Sequence, residues 1–348
     1  MTNLRKQKKA QIEVSFNWIF VLIAGAAILF FFIRVIDSEM DFGREATLSR
    51  AVNRMNSVMT ALAQNPDSVS MQDRINYQIQ FYCTIEGHSY GIEGARATQS
   101  LPHQLIFSPE IIGNSKLIAW VKTYDAPFPV GSMLYLTDEA TQYVFIEDEN
   151  PQKMRQYFEL FPNNISKILT TLDEFTAKGD QGYERYILII LEDAVEQGFS
   201  LGAGNARFAA KIPYIVSIDE PNEINFYEFG EYNTLLLSNR ENRGYFTQEQ
   251  KIGAIITGHP DLYDCTMNKA LEQTRITANI NEARIQLLHD AYPEAHSCKQ
   301  MYSLISQNLF IDMANSAKNE DFENLNAKYA SIRSLNNQML RTGCVTIY

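Results

Sequence analysis

The sequence is short of the residues that usually announce a chemistry. It has four cysteines and five histidines in 348 residues. No two cysteines lie two to four residues apart, and His88, His103, His259, His289 and His296 form no H-E-x-x-H pattern, so the spacing predicts no zinc site. Residues 198–204 (GFSLGAG) lack the third glycine of a dinucleotide fingerprint and the Gly-Lys-Ser/Thr of a phosphate loop, and are expected to form a flexible loop. Positive charge is scarce as well, with 30 Lys and Arg against 41 Asp and Glu. Beyond residue 37 the ratio is 25 basic to 39 acidic side chains. A surface of that sign repels phosphate, which excludes nucleic acid as a partner. No cofactor and no small-molecule ligand are expected, and no repeat or low-complexity tract is present.

One motif bears on catalysis. Gly87-His88-Ser89-Tyr90-Gly91 matches the G-x-S-x-G nucleophile elbow, which needs a serine on a strained turn leading into a helix. The residues that follow Gly91 lack the apolar face of such a helix. A glycine-rich turn between strands is the better reading, and the chain is expected not to be an enzyme. Asp261 and Asp264 are expected to cap a helix, and Asn164-Ile165-Ser166 is an acceptor sequence for a glycan on Asn164.

What is abundant is apolar material, 45% of the chain with 11% aromatic, enough for a packed core. The length predicts roughly two globular domains. The expected class is α+β: a long N-terminal transmembrane helix, a β-rich module, a mixed α/β sheet module and antiparallel C-terminal helices. The boundaries are a basic cytoplasmic leader at 1–10, a transmembrane and amphipathic helix at 11–64, the β-rich module at 71–148, the mixed module at 151–258 and the helical module at 262–348. Residues 18–33 carry no polar side chain, the basic leader precedes them, and Trp18 and Arg34 stand where interfacial anchors would. The expectation is a single pass through a lipid bilayer, N-terminus inside and body outside. Leu48, Val52, Met55, Met59 and Leu62 then recur at spacings of four and three, one stripe on a continuing helix.

Strands are predicted at 77–85, where polar and apolar residues alternate, and at 104–107, 116–121, 133–136 and 143–146, paired antiparallel. Residues 152–178 read as helical, with Pro162-Asn163-Asn164 a candidate break. Further strands are predicted at 186–191, 211–218, 224–229, 234–237 and 252–256. From residue 262, apolar stripes predict three helices: Ile276, Ile280, Ala283 and Leu287 on the first, Met301, Ile305 and Leu309 on the second, and Phe322, Leu325, Tyr329, Ile332, Leu335 and Met339 on the third. Such stripes are expected to face the core.

The stretch KKAQIEVSFNWIFVLIAG resembles the class III signal peptide of archaeal type IV pilins and pilin-like proteins. The resemblance is confined to about the first 55 residues. It implies cleavage by a prepilin peptidase between Ala10 and Gln11, with Glu13 and Ser15 just ahead of the apolar run. The sequence departs from that family's pattern in having Ala rather than Gly before the cut, and Glu before Ser. The resemblance also implies pilin-like subunits as partners, with Glu13 either an interfacial acid or a charge paired with a neighbouring N-terminus.

An even number of cysteines beyond the leader is consistent with two disulfides in an oxidising space, the alternative being four reduced thiols. If the last two helices are antiparallel, Cys298 lies near Cys344, which leaves Cys83 for Cys265. The functional expectation is an anchored, extracytoplasmic structural or interaction protein, a minor subunit or accessory factor of a pilin-like surface assembly. The alternatives are a non-polymerising adhesion module and a serine hydrolase using Ser89.

Overall fold

The computed structural model describes residues 23–31, 34, 48–53, 55–62, 64, 65, 67–75, 77–84, 87–92, 98–101, 104–113, 115–147, 151–191, 206–219, 221–229, 235–305 and 308–348. Among these, no helix is long and apolar enough to cross a membrane. That overturns the expected transmembrane helix and, with it, the single-pass placement with the N-terminus inside. The described part of the apolar run is helical over 23–31, and the rest of the run lies outside the described residues. The leader, the Ala10-Gln11 junction, Glu13 and Trp18 lie outside the described residues.

The amphipathic continuation is helical over 48–53 and 55–62 and buries Val52, Met55 and Met59. They pack on a four-stranded antiparallel sheet whose alternation is that of the sequence. Ahead of that sheet in the chain comes β1 (Val69–Arg74). The sheet itself is built from β2 (Gln78–Thr84), β3 (Gly87–Ile92) and β4 (Thr98–Leu101), with the short β6 (Ile111–Gly113) beyond β5 (Leu105–Phe107) in sequence. Ile79, Phe81, Tyr90, Ile92 and Leu101 turn their side chains to that helix, and the Tyr90 hydroxyl donates to the Val52 carbonyl at 2.7 Å.

A second sheet, in the order β1-β7-β8-β5, is dominated by the hairpin of β7 (Lys116–Asp125) and β8 (Pro129–Asp138). β7 is covered on both faces: Leu117, Ala119 and Val121 meet the first sheet, while Ile118 and Trp120 enter the main aromatic core. Here β5 runs parallel to β8, Leu105 opposite Met133, contrary to the antiparallel expectation. The excursion through β6 and β7 supplies the length a parallel crossover needs.

The third sheet is mixed, in the order β10-β9-β11-β12-β13-β14. It comprises β9 (Thr141–Ile146), β10 (Lys167–Thr170), β11 (Arg185–Leu191), β12 (Tyr214–Asp219), β13 (Glu223–Phe229) and β14 (Leu235–Gly244). The first four are mutually parallel, and their crossovers fall on opposite faces. α1 (Pro151–Leu160) buries Met154 and Tyr157 in the main core, whereas α2 (Leu172–Lys178) and α3 (Ala206–Ala209) put Phe175 and Phe208 against the other face. The helix expected over 152–178 is therefore two helices with β10 between them. Pro162-Asn163-Asn164 ends the first, and the Thr171 side chain caps the second by accepting from the Glu174 amide at 3.3 Å.

The strand expected at 252–256 is instead part of α4 (Gln248–Thr257). A short apolar run reads the same in either state. The helix is set by a reciprocal capping box, in which Thr247 and Gln250 each satisfy the other's amide, and by left-handed Gly258 at its end. Then come α5 (Pro260–Ala291), α6 (Ser297–Ile305), α7 (Leu309–Lys318) and α8 (Phe322–Thr342). The second expected helix is two helices, α7 being entered through Asn308 at a φ of 64°.

Candidate interaction surface and the clusters around it

The longest described helix, α5, has two apolar stripes and buries only one. Ala270, Leu271, Thr274, Ala278 and Ile285 face inward. Thr274 is held there by the hydroxyl of fully buried Tyr124 at 2.8 Å, which also accepts from the Gln250 amide at 3.2 Å. The stripe expected in the core is on the outside: Ile276 is 46% exposed, Ile280 61% and Leu287 72%, with Ala283 exposed between them. Their spacing of four, three and four is that of alternating d and a positions in a coiled-coil seam. The flanking seam positions Thr277, Asn279, Arg284 and Gln286 hold a single charge.

Both disulfides form, and no free cysteine remains among the described residues. Cys298, at the start of α6, joins Cys344 beyond α8, both buried. Cys83 on β2 joins Cys265 in α5 across 182 residues of sequence. Cys265 is 6% exposed, whereas Cys83 is exposed.

The elbow motif is not an elbow. Ser89 sits in the middle of β3, paired with Tyr82 and Ser100, where no turn exposes it. Alternation puts His88 on the other face of the strand, so the two cannot act together. His88 is buried. Thr266 Oγ1 donates to the Ile106 carbonyl at 2.5 Å and lies 2.8 Å from His88 Nε2, which makes that nitrogen the donor. Burial, with Lys269 adding to it, pulls the imidazole pKa from 6.5 to about 3, so it is neutral at pH 7.

The other described histidines sit at helix ends. His259 caps α5 by accepting from the Asp261 amide, His296 accepts from the Cys298 amide, and His289 lies beside Asp290. Asp264 does not cap; both of its oxygens accept from Arg243 Nε at 2.7 Å. Burial pushes its carboxyl above the usual carboxylate range, with Arg243 acting the other way. The pair lines a groove of about 420 Å³ under Phe322, continuous through Asn242 and Gly244 with one of about 500 Å³ bearing Asp219, Glu223 and Glu323. Arg243 is already engaged by Asp264 and Glu241, so the groove presents acid.

Arg34 lies 5.3 Å from the ring centroid of Phe30, and Asn164 is exposed in the turn after α1. His103 and residues 198–204 lie outside the described residues. No group of metal-ligating side chains occurs among the described residues. No family model matches this chain, and neither a curated protein nor a solved structure matches it.

Proposed function

We propose that this protein is a structural subunit working in an oxidising compartment, and that it associates with a second copy of itself through the outer stripe of α5. The observation that carries the reading is the exposure of Ile276, Ile280 and Leu287 at seam spacing, opposite a face that is fully packed. A helix needs one apolar face to fold onto its domain, and a second one at coiled-coil spacing serves another helix.

The charge pattern favours a copy of the same chain. In either direction of pairing, Arg284 meets Thr277 or Asn279 of the other helix, so no like charges oppose. Full burial of an Ile or Leu contributes about 1.5–3 kcal/mol. Three such residues on each side, already partly covered, sum to roughly 6–10 kcal/mol, comparable with an association cost of about 4–15 kcal/mol. The pair is therefore weak and concentration-dependent, as suits a subunit whose assembly adds further contacts. The pairing of all four cysteines supports the compartment. A subunit role is also what the resemblance of residues 8–25 to pilin-like leaders implies.

Sedimentation of the oxidised chain over a concentration series tests this. A reversible monomer–dimer equilibrium is expected in the micromolar to millimolar range. A chain that stays monomeric throughout that range refutes the reading and favours a non-polymerising binding module.

A further inference from the structure

The amino-terminal half of α5 lies across one row of the first sheet. Cys83, His88 and Leu101 are cross-strand neighbours on β2, β3 and β4. Above them, in step, stand Cys265 bonded to Cys83, Thr266 at 2.8 Å from His88, and Lys269, whose ammonium donates to the Leu101 carbonyl at 3.2 Å. Cys265 and Lys269 are one helical turn apart and so share a face, with about 6 Å between their Cβ atoms. The two ends of this bridge differ in environment: Cys83 is open to solvent, whereas Cys265 is enclosed, with Lys269 one turn along the same face of the helix. Cys298 and Cys344 are both buried, 4% and 5% exposed.

We propose that the Cys83–Cys265 bridge is a thiol–disulfide exchange site for a dithiol reductant, with Cys83 the sulfur attacked and Cys265 the leaving group. One thiolate of the dithiol bonds to Cys83 Sγ, and the electron pair of the broken bond passes to Cys265 Sγ. The second thiol of the reductant then displaces Cys83, leaving a cyclic disulfide. The reductant is oxidised by two electrons, the bridge is reduced by two, and the two thiol protons end on the cysteines or in solvent. Exchange is faster when the attacked sulfur is accessible and the leaving thiolate is stabilised, and this bridge supplies both. Lys269, partly desolvated with its pKa lowered to about 8, keeps a positive charge on the same helix face as the departing sulfur, one turn along α5. Opening the bridge removes the covalent tie between β2 and α5 without breaking the Cys298–Cys344 bridge in the C-terminal helices.

The test uses the oxidised full chain under native conditions. Timed exposure to dithiothreitol, quenching with an alkylating agent and peptide mass mapping are expected to show Cys83 and Cys265 labelled at least about ten-fold faster than Cys298 and Cys344. Glutathione, a monothiol that cannot resolve itself, is expected on Cys83 and not on Cys265. Lys269→Gln is expected to slow opening several-fold, and Lys269→Arg to restore it, with the Cys298–Cys344 rate unchanged in both. Equal rates for the two bridges, glutathione on Cys265, or a Lys269→Gln rate equal to that of the wild type would each overturn the proposal.

Discussion

Leu287 and Ile285 are two residues apart on α5 and separate the two roles of that helix. Leu287 is 72% exposed and Ile285 0%. Replacing Leu287 by Ser removes a side chain that touches little in the monomer, so stability should change by no more than about 0.5 kcal/mol. In a seam between two copies the same residue is covered. Burying the remaining exposed part of a leucine contributes about 1–2 kcal/mol, or about 2–4 kcal/mol for two copies. At ten-fold per 1.4 kcal/mol, the dissociation constant of the pair should rise roughly 30- to 700-fold. Ile285→Ala is the control in the opposite sense: it empties a fully packed position and should cost about 2–5 kcal/mol with little direct effect on association. Urea unfolding of each variant, at a concentration where the wild type is monomeric, gives the first quantity, and sedimentation gives the second. If the outer stripe is a core face after all, the outcome inverts. Leu287→Ser would then lower stability by several kcal/mol while leaving the association constant alone, and that result would refute the reasoning.

Other consequences follow from buried groups. His88 has a folded-state pKa well below its unfolded value, so the unfolded chain takes up a proton first as pH falls. Its contribution is complete above about pH 6.5 and is lost toward pH 3 at up to about 1.4 kcal/mol per pH unit; His88→Gln should flatten that part of the difference between stability curves. A β-carbon on Gly253 would lie 2.6 Å from the Phe107 ring, so Gly253→Ala should cost about 1–3 kcal/mol in a denaturant melt. Removing the Cys298–Cys344 bridge as a double Ser variant releases a 46-residue separation and should cost about 4 kcal/mol, read as a lower urea midpoint.

Some of this structure was legible because a local rule settled it. Strict alternation along residues 77–85 marked a half-buried strand, and the 48–62 stripe marked a helix with one face to bury; both follow from backbone period alone. The last two stripes also placed Cys298 near Cys344, since antiparallel helices bring the start of one to the end of the other. The candidate surface was visible as well, but with the wrong sign. Ile276, Ile280, Ala283 and Leu287 form an unbroken apolar stripe on α5, and hydrophobicity by itself assigns such a stripe to the core.

Tertiary structure decided otherwise, because burial depends on the neighbour and not only on the side chain. The inward face of α5 sets small Ala270, Thr274 and Ala278 among Leu271 and Ile285, and the small positions let α7 and the Tyr124 hydroxyl approach closely. No periodicity records that Tyr124, 150 residues away, would satisfy Thr274. The same holds for His88, whose burial depends on α5 crossing the sheet at Thr266, and for β5, which runs parallel only because β8 returns beside it. The amino-acid sequence by itself determined the α+β class, the acidic charge and the periods of the elements. Which stripe packs, which bridge stays open to solvent and which motif is mere strand were decided by long-range contacts, where packing and polar satisfaction outweigh local preference.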